Sequence, residues 1–339
     1  MLLTYNDFRL NILAKLFGAL LKFLFALFCT SSLLFVFAEV TEAPLLEEIA
    51  IIDQATFTNP ILLDAPLTGT IPLLPKQYKS SLVTVGLAYL TPGLGHVYLG
   101  DLKTAGALFG TAFTTKSLAG YKKTAPFSNL MSNSNTWFYG IYAAYRDVRI
   151  NNNQNGYRYQ MPTDSFGDLA SAPFRWNVIK KPEVWGGLIG SLAIASVVVY
   201  FSMPDREATC SLEGNIFPLS AFSIGLGEES FFRGYLQSFL AERLSPTAAI
   251  TLSSLAFGAV HIPNALYLHK EQRMNYYTFS LPLITSLGGY MGWLTHKNRS
   301  LKSSVALHAW YDFTLFTIST LAAPTASMGK PTFKHTFNF

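Results

Sequence analysis

Long apolar blocks separated by short polar segments dominate the pattern along the chain. The clearest block, Trp185 to Met203, has the roughly 20 apolar residues that a helix needs to cross the hydrocarbon core of a bilayer. This pattern predicts an all-α fold, a polytopic helical membrane protein, because helices satisfy their own backbone in lipid. Four further blocks follow, at Phe217 to Leu240, Thr247 to Leu268, Tyr276 to Leu294 and Ser303 to Ala323.

Three weaker apolar segments precede these blocks, at Leu82 to Leu90, Thr104 to Leu118 and Trp137 to Tyr145. The string Pro-Gly-x-Gly-x-x-Tyr-x-Gly, from Pro92 to Gly100, separates the first two and resembles the turn of small two-helix membrane modules of many bacterial proteins. His96 lies in this turn, where we expect a hydrogen-bonding or interfacial residue. From these eight apolar segments, about seven transmembrane or half-membrane helices are expected after an N-terminal signal.

The N-terminus has the features of an export signal. A basic segment precedes an uninterrupted apolar run from Phe23 to Ala38, and small residues close the run. The run is also long enough for an uncleaved anchor helix, so a cleaved signal and an anchor are both consistent with the sequence. Either reading places Glu39 outside the cytoplasm, and the Pro-rich stretch that follows reads as an exported linker.

A polar stretch, residues 151–156, marks a loop between two regions of the chain. The resulting division is a signal peptide or anchor, an exported linker, an N-terminal helical module, a polar loop, a C-terminal core and a tail. Their ranges are 1–38, 39–80, 81–150, 151–182, 183–323 and 324–339.

Composition supports the membrane interpretation and excludes other classes. Of 339 residues, 50% are hydrophobic and 13% are charged, and about 25% charged is usual in soluble domains. The net charge of +5 comes with no basic patch or motif for nucleic acid. Cys29 and Cys210 form neither a disulfide framework nor a CxxC metal site.

The basic residues predict a topology. Three crossings from an exported Glu39 bring the segment after Tyr145 to the cytoplasmic side, where Lys and Arg collect. The basic groups that this count places inside are Arg146 and Arg149 with Lys180 and Lys181, then Arg243, then Lys297, Arg299 and Lys302.

Ionisable residues inside apolar spans indicate a functional site, because they are costly there. Glu229 and Arg233 are four residues apart on one helix face and can form an ion pair. Glu228 points about 100° away and is left without an intrahelical partner, as a general acid or base requires. Alone, the three residues are also compatible with a buried polar cluster that only holds helices together.

Two more polar motifs lie in the following spans. Phe257 stands one turn before His261 on the same face, and His308 stands one turn before Asp312. Two histidines, an unpaired Glu and an Asp in these spans are hard to explain as packing alone.

Two hydrolytic schemes fit these residues. In one, His261, His308, Glu228 and Asp312 hold a divalent metal, zinc first, and Glu228 polarises its bound water. In the other, a metal-free scheme, Glu228 and His261 handle the proton while His308 and Asp312 stabilise the oxyanion. The chain has neither a Gly-x-Ser-x-Gly elbow nor a His-Glu-x-x-His motif, which disfavours serine hydrolases and common zincins.

Taken together, Glu-Glu-x-x-x-Arg, Phe-x-x-x-His and His-x-x-x-Asp in this order resemble the CPBP family, also called Abi or CAAX-type intramembrane proteases. The family includes the type II CAAX prenyl endopeptidases. The resemblance implies an all-helical membrane core and peptide-bond cleavage in or near the bilayer. It implies catalytic roles for Glu228, His261, His308 and Asp312, with Glu229, Arg233 and Phe257 supporting them. Asp312 stands where the family often has Asn.

One geometric conflict bears on the shared site. If the helices begin near Pro246 and Ser303 and run parallel, the two imidazoles differ in depth by about 15 Å. At least one helix is therefore expected to be tilted, broken or half-length, with Pro263 and Pro282 as the causes.

The leading hypothesis is an intramembrane endopeptidase, an integral protein of a bacterial inner membrane that acts on membrane-associated protein or peptide substrates within the lipid bilayer. Prenylated substrates are doubtful for a chain with bacterial features. The alternative is a non-catalytic membrane scaffold or immunity protein of the same fold. A proton-relay transporter is a third option, and the N-terminal spans offer few ionisable residues for it.

Overall fold

The computed structural model describes most of the chain from Gln77 to Ala322. Every described residue belongs to one compact unit, which begins after Pro75. The predicted signal segment and the tail after the last span fall outside the described part, apart from two residues of the tail. The described ranges are 77–120, 126–156, 158–202, 212–213, 218–268, 270–322 and 334–335.

Four helices form the N-terminal module. The Ser80 hydroxyl accepts a hydrogen bond from the Val83 amide and caps the first helix. Gly93 adopts a left-handed backbone conformation (φ 95°), and the carbonyl of Ala105 lies where a Cβ would stand, so only glycine fits this turn. The helices are α1 (Ser81–Leu90), α2 (Leu94–Leu99), α3 (Leu102–Ala119) and α4 (Pro126–Asn151).

The two ends of this module lie side by side. The Lys79 amide donates to the Asn152 side chain (3.0 Å), and the Asn152 amide group donates back to the Lys79 carbonyl (2.7 Å). Helix α1 has only 10 residues, or about 15 Å, and the chain turns at Gly93. The Tyr98 hydroxyl of α2 accepts a hydrogen bond from the Ser80 amide (3.2 Å), so α2 returns to the side on which α1 starts. The expected count of three crossings is therefore wrong for this module, since an odd number would separate its ends.

The described residues of the C-terminal part are also helical, apart from one pair of two-residue strands. A π-helical segment, Ser230–Leu236, interrupts the second long apolar block, and another, Tyr276–Ser280, precedes Leu281. Short 3₁₀ segments occupy Ala172–Phe174 and Ile262–Tyr267. The helices are α5 (Phe166–Ser171), α6 (Trp176–Ile179), α7 (Pro182–Ser202), α8 (Ser220–Glu229), α9 (Gln237–Ala241), α10 (Pro246–His261), α11 (Lys270–Asn275), α12 (Leu281–Asn298) and α13 (Lys302–Ala322). Strands β1 (Leu212–Glu213) and β2 (Lys334–His335) pair antiparallel.

Helix α8 lies between α4 and α13, while α10 packs on α12. Close approach depends on glycine at the contacts: a Cβ on Gly225 would stand 2.9 Å from the Ala309 amide nitrogen of α13. This arrangement brings the ends of α8, α10 and the first third of α13 together, where the polar motifs lie.

The three basic groups used for topology converge on one end of the bundle. Arg149 pairs with Glu242 at 2.8 Å, next to Arg243. Lys181 donates to the Asn298 side chain (3.0 Å), and Lys302 lies 3.4 Å from the Asp164 carboxylate. We call this the basic end.

Within the described residues, one helix is long and apolar enough to cross a membrane by length and composition, Pro246–Leu266. Ser81–Leu90 and Pro182–Val198 are shorter apolar helices. The number of spans expected from the sequence is therefore not confirmed. The π segments and the buried polar side chains explain part of the difference, because they shorten or dilute the apolar runs.

Candidate active site

A buried ion pair occupies the junction of α8 with its π segment. Glu229 and Arg233 are fully buried, and the Arg233 Nη1 donates to Glu229 Oε1 at 2.8 Å, as their spacing predicts. The guanidinium also lies over the Phe257 ring, 4.3 Å from its centroid. This pairing makes the burial of both charges tolerable.

His308 of α13 bridges two carboxylates. Its Nδ1 lies 2.9 Å from Glu229 Oε1, and its Nε2 lies 3.3 Å from Asp312 Oδ2. Both ring nitrogens donate to carboxylates only when the ring is an imidazolium cation. In that state, Arg233 and His308 carry two positive charges against the two negative charges of Glu229 and Asp312.

Glu228 is the carboxylate left outside this balance. Its side chain is 21% exposed, its Oε2 lies 3.9 Å from His308 Nε2, and this oxygen is buried with no hydrogen-bond partner. Glu228 also interacts electrostatically with His261, His308 and Asp312. The neighbouring glutamates therefore differ: one is fully buried in an ion pair, and the other is partly accessible and uncompensated.

His261 ends α10 on the other side of Phe257. Its Nδ1 lies 2.7 Å from the Phe257 carbonyl oxygen, so an N–H at Nδ1 leaves Nε2 as the free nitrogen. The Phe257 ring contacts both imidazoles, with centroid separations of 4.6 Å to His261 and 5.9 Å to His308. The two histidines thus share one aromatic neighbour.

The expected helix breaks are present near the two histidines, which lie at different distances from the starts of their helices. The α-helical geometry of α10 ends at His261, and Pro263 lies in the 3₁₀ segment that follows. Pro282 lies in the first turn of α12, directly after a π segment. Breaks at both prolines agree with the expectation of interrupted helices, whereas the π segment after Glu229 has no sequence signal.

Some residues of the site were not identified from the sequence. Asn135 of α4 fills the space beside Gly227, where a Cβ would stand 2.4 Å from the Asn135 Cβ and 2.6 Å from its Cα. The Tyr276 hydroxyl donates to the His261 carbonyl at 2.9 Å. Both contacts join segments distant in sequence, so the motif pattern cannot reveal them; the glycine before Glu228 was the one available signal for a close approach.

The His, Glu and Asp side chains of the site are residue types that bind divalent metals, but they are not arranged as metal ligands. Each histidine directs one ring nitrogen to a carboxylate or a carbonyl, which is the usual outer-shell pattern of metal-binding histidines. However, no three His, Cys, Asp or Glu side chains of the described residues are arranged to hold an ion. As placed, His261, His308, Glu228 and Asp312 do not form a metal site, and no reaction step is derived through one.

Comparison with known proteins supports the motif assignment. Residues 214–314 match the family described as Type II CAAX prenyl endopeptidase Rce1-like. All seven residues of the three motifs lie in this segment, so the resemblance to the CAAX-type family is confirmed over it. The family is one of membrane-embedded proteases, and the match covers residues 214–314 of the 339 in the chain. No curated protein and no solved structure was found to match the chain significantly.

Proposed function

We propose that this protein is an intramembrane endopeptidase in which Glu228 activates water to cleave a peptide bond of a membrane-associated substrate. The observation that carries the proposal is the contrast between the two adjacent glutamates. Glu229 Oε1 accepts a hydrogen bond from Arg233 and lies 2.9 Å from His308 Nδ1, so that one of its two oxygens lacks a partner. Glu228 has no such bond: its Oε2 is buried without a hydrogen-bond partner and lies 3.9 Å from His308 Nε2. A carboxylate in this state can take a proton from a bound water.

The surrounding groups supply the remaining roles. Glu228 takes the proton of the attacking water, and His261 Nε2 relays a proton to the leaving amine. The positive charge of the His308 imidazolium stabilises the oxyanion electrostatically in this low-dielectric site, while its two N–H groups are directed to Glu229 and Asp312. Asp312, an acceptor when ionised, orients His308 from 3.3 Å and does not itself donate to the oxyanion.

We propose that this site lies within the lipid bilayer. Large apolar side chains are exposed along several helices, among them Ile189 of α7 and Leu255 of α10. Exposed apolar patches of this kind mark membrane or protein contacts. We propose an integral protein with several spans; a bacterial inner membrane remains the sequence-based expectation.

Cleavage by the purified full-length protein in liposomes tests the proposal. The substrate is a set of membrane-tethered peptides with a fluorophore and a quencher on either side of the cleavable region. Glu228→Gln should lower the cleavage rate by about 10²- to 10⁴-fold. The matched control is Glu183→Gln, because Glu183 lies at the basic end, paired with Lys297.

The scaffold alternative makes the opposite prediction for the same assay. The Glu229, Arg233 and His308 network is internally paired, as a purely structural polar cluster would be. A scaffold would cleave no peptide, and its binding partners would be retained by Glu228→Gln. Cleavage that is equal in the wild type and in both variants would also refute the assignment.

A further inference from the structure

The segment from Pro162 to Lys181, predicted as a polar loop, follows an unusual path along α13. At its start, Asp164 accepts hydrogen bonds from the Leu301 amide (2.7 Å) and the Ser300 hydroxyl (2.9 Å). The Tyr142 hydroxyl donates to the Pro162 carbonyl at 3.1 Å. The segment therefore begins at the basic end, level with the first residues of α13.

The middle of the segment lies much farther along α13. The Trp310 indole N–H donates to the Pro173 carbonyl at 2.8 Å. The Phe174 ring packs on Phe222 of α8, with centroids 4.9 Å apart. Trp310 is eight residues after Lys302, which is about 12 Å along a helix.

The end of the segment returns to the basic end. The Lys181 ammonium group donates to the Asn298 side chain at 3.0 Å and to the Ser303 hydroxyl at 3.4 Å. The segment thus leaves the level of Lys302, reaches that of Trp310 and comes back. We propose that residues 162–181 form a re-entrant loop whose tip, Ala172 to Trp176, lies in the hydrocarbon of the lipid bilayer.

The surface of the re-entrant loop fits a hydrocarbon neighbour. Phe166, Phe174 and Trp176 are 57%, 60% and 69% exposed, so apolar rings cover its outer side. The next helix, α7, continues this apolar surface with Trp185 (46% exposed) and Ile189 (63%). A tip about 12 Å from the level of Lys302 would lie near the middle of a core that is about 30 Å thick.

Several polar groups of the tip bind protein partners, which reduces the cost of placing them in lipid. Pro173 has no amide N–H, and its carbonyl accepts the Trp310 indole proton. The Arg175 amide donates to the Ala172 carbonyl (3.2 Å). The Arg175 side chain reaches back to Asp168 at 3.1 Å, and Asp168 in turn pairs with Lys302. The one charge near the tip is thereby directed to the basic end.

Spin labels report the depth of the tip directly. In a variant with Cys29→Ser and Cys210→Ser, Trp176→Cys is labelled with a nitroxide, and the full chain is placed in liposomes of zwitterionic and anionic lipids. Collision rates are measured with oxygen, which collects in hydrocarbon, and with a water-soluble nickel chelate. Ile189→Cys is the lipid-facing control, and Gln160→Cys, on an exposed residue of the predicted loop, is the aqueous control.

The proposal expects the label at 176 to match that at 189, with an oxygen-to-nickel ratio several-fold above that at 160. A ratio equal to that at 160 would place the tip in water and overturn the proposal. Protection from both reagents would mean that protein covers the tip, which also overturns it. If Trp176→Cys does not fold, brominated lipids should quench the wild type more than Trp176→Phe. The outcome is independent of any peptidase activity.

Discussion

The candidate active site and the basic end hold the same kinds of charged groups, but these groups are exposed to water to very different degrees. At the basic end, Lys297 pairs with Glu183 at 3.4 Å, and the lysine side chain is 48% exposed. At the site, Glu229 and Arg233 pair at 2.8 Å with no exposure at all. Water screens the first pair, whereas the second depends entirely on its partners.

This difference separates charges that tie segments of the chain together from the charges of the proposed catalytic site. At the basic end, partly exposed pairs such as Lys297 with Glu183 cost little and contribute little, while Arg149 with Glu242 is more buried. In the site, the cations Arg233 and His308 balance the carboxylates of Glu229 and Asp312. Glu228 is a third carboxylate beyond this balance. Glu228 is informative because its nearest cation, His308, lies closer to Glu229 and to Asp312 than to Glu228.

Removing a buried partner should have the largest effect on stability. Arg233→Met leaves Glu229 buried beside His308 alone, so the free energy of unfolding should fall by about 3–5 kcal/mol. Chemical denaturation in detergent, followed by circular dichroism, measures this loss. A change below about 1 kcal/mol would mean that Arg233 is not the counter-ion on which Glu229 depends.

Adding a methyl group at the contact between α4 and α8 should cause the second-largest loss of stability. Gly227→Ala places a Cβ 2.6 Å from the Asn135 Cα, so the backbones must separate, at a cost of about 1–3 kcal/mol. Cleavage should fall as well, because the residue precedes Glu228. Gly190→Ala in α7 is the control: nothing lies within 4 Å of its added Cβ, and it should be neutral or slightly stabilising. Equal effects of the two changes would argue against close packing at Gly227.

Removing the exposed ion pair between Lys297 and Glu183 should hardly change stability. Lys297→Met removes the partner of Glu183 at the basic end and should change the free energy of unfolding by less than about 0.5 kcal/mol. The same denaturation measurement used for Arg233→Met makes the two values comparable. A loss as large as that of Arg233→Met would erase the distinction between the two regions.

Chelation should leave the proposed reaction unchanged. Dialysis against EDTA, followed by metal analysis and the cleavage assay, should give the original rate, since Glu228 and His261 alone move the proton. The zinc scheme predicts about one metal per chain and a loss of activity that zinc restores. That result would require the four side chains to move closer together than they are here.

The sequence was most informative where the interaction is local. Apolar blocks gave helices such as α7 and α13 within a few residues, and the spacing of Glu229 with Arg233 and of His308 with Asp312 predicted their contacts. Periodicity along one chain carries this information, because residues one turn apart must be neighbours.

Contacts between distant segments were not predictable in the same way. The bond from His308 to Glu229 joins residues 79 positions apart, and it distinguishes the two glutamates more clearly than helix geometry does. The return of α2 to its starting side and the depth of Pro173 also depend on tertiary contacts. Hydrophobicity alone reports neither.

The most direct test compares the two neighbouring glutamates in both assays. Glu228→Gln should abolish cleavage, with a loss of at least about 100-fold, while its stability stays near that of the wild type. Glu229→Gln should lower the free energy of unfolding by several kcal/mol, because Arg233 loses its counter-ion. Full cleavage by Glu228→Gln, or a loss of stability shared equally by both variants, would contradict the assignment of Glu228 as the group that activates water.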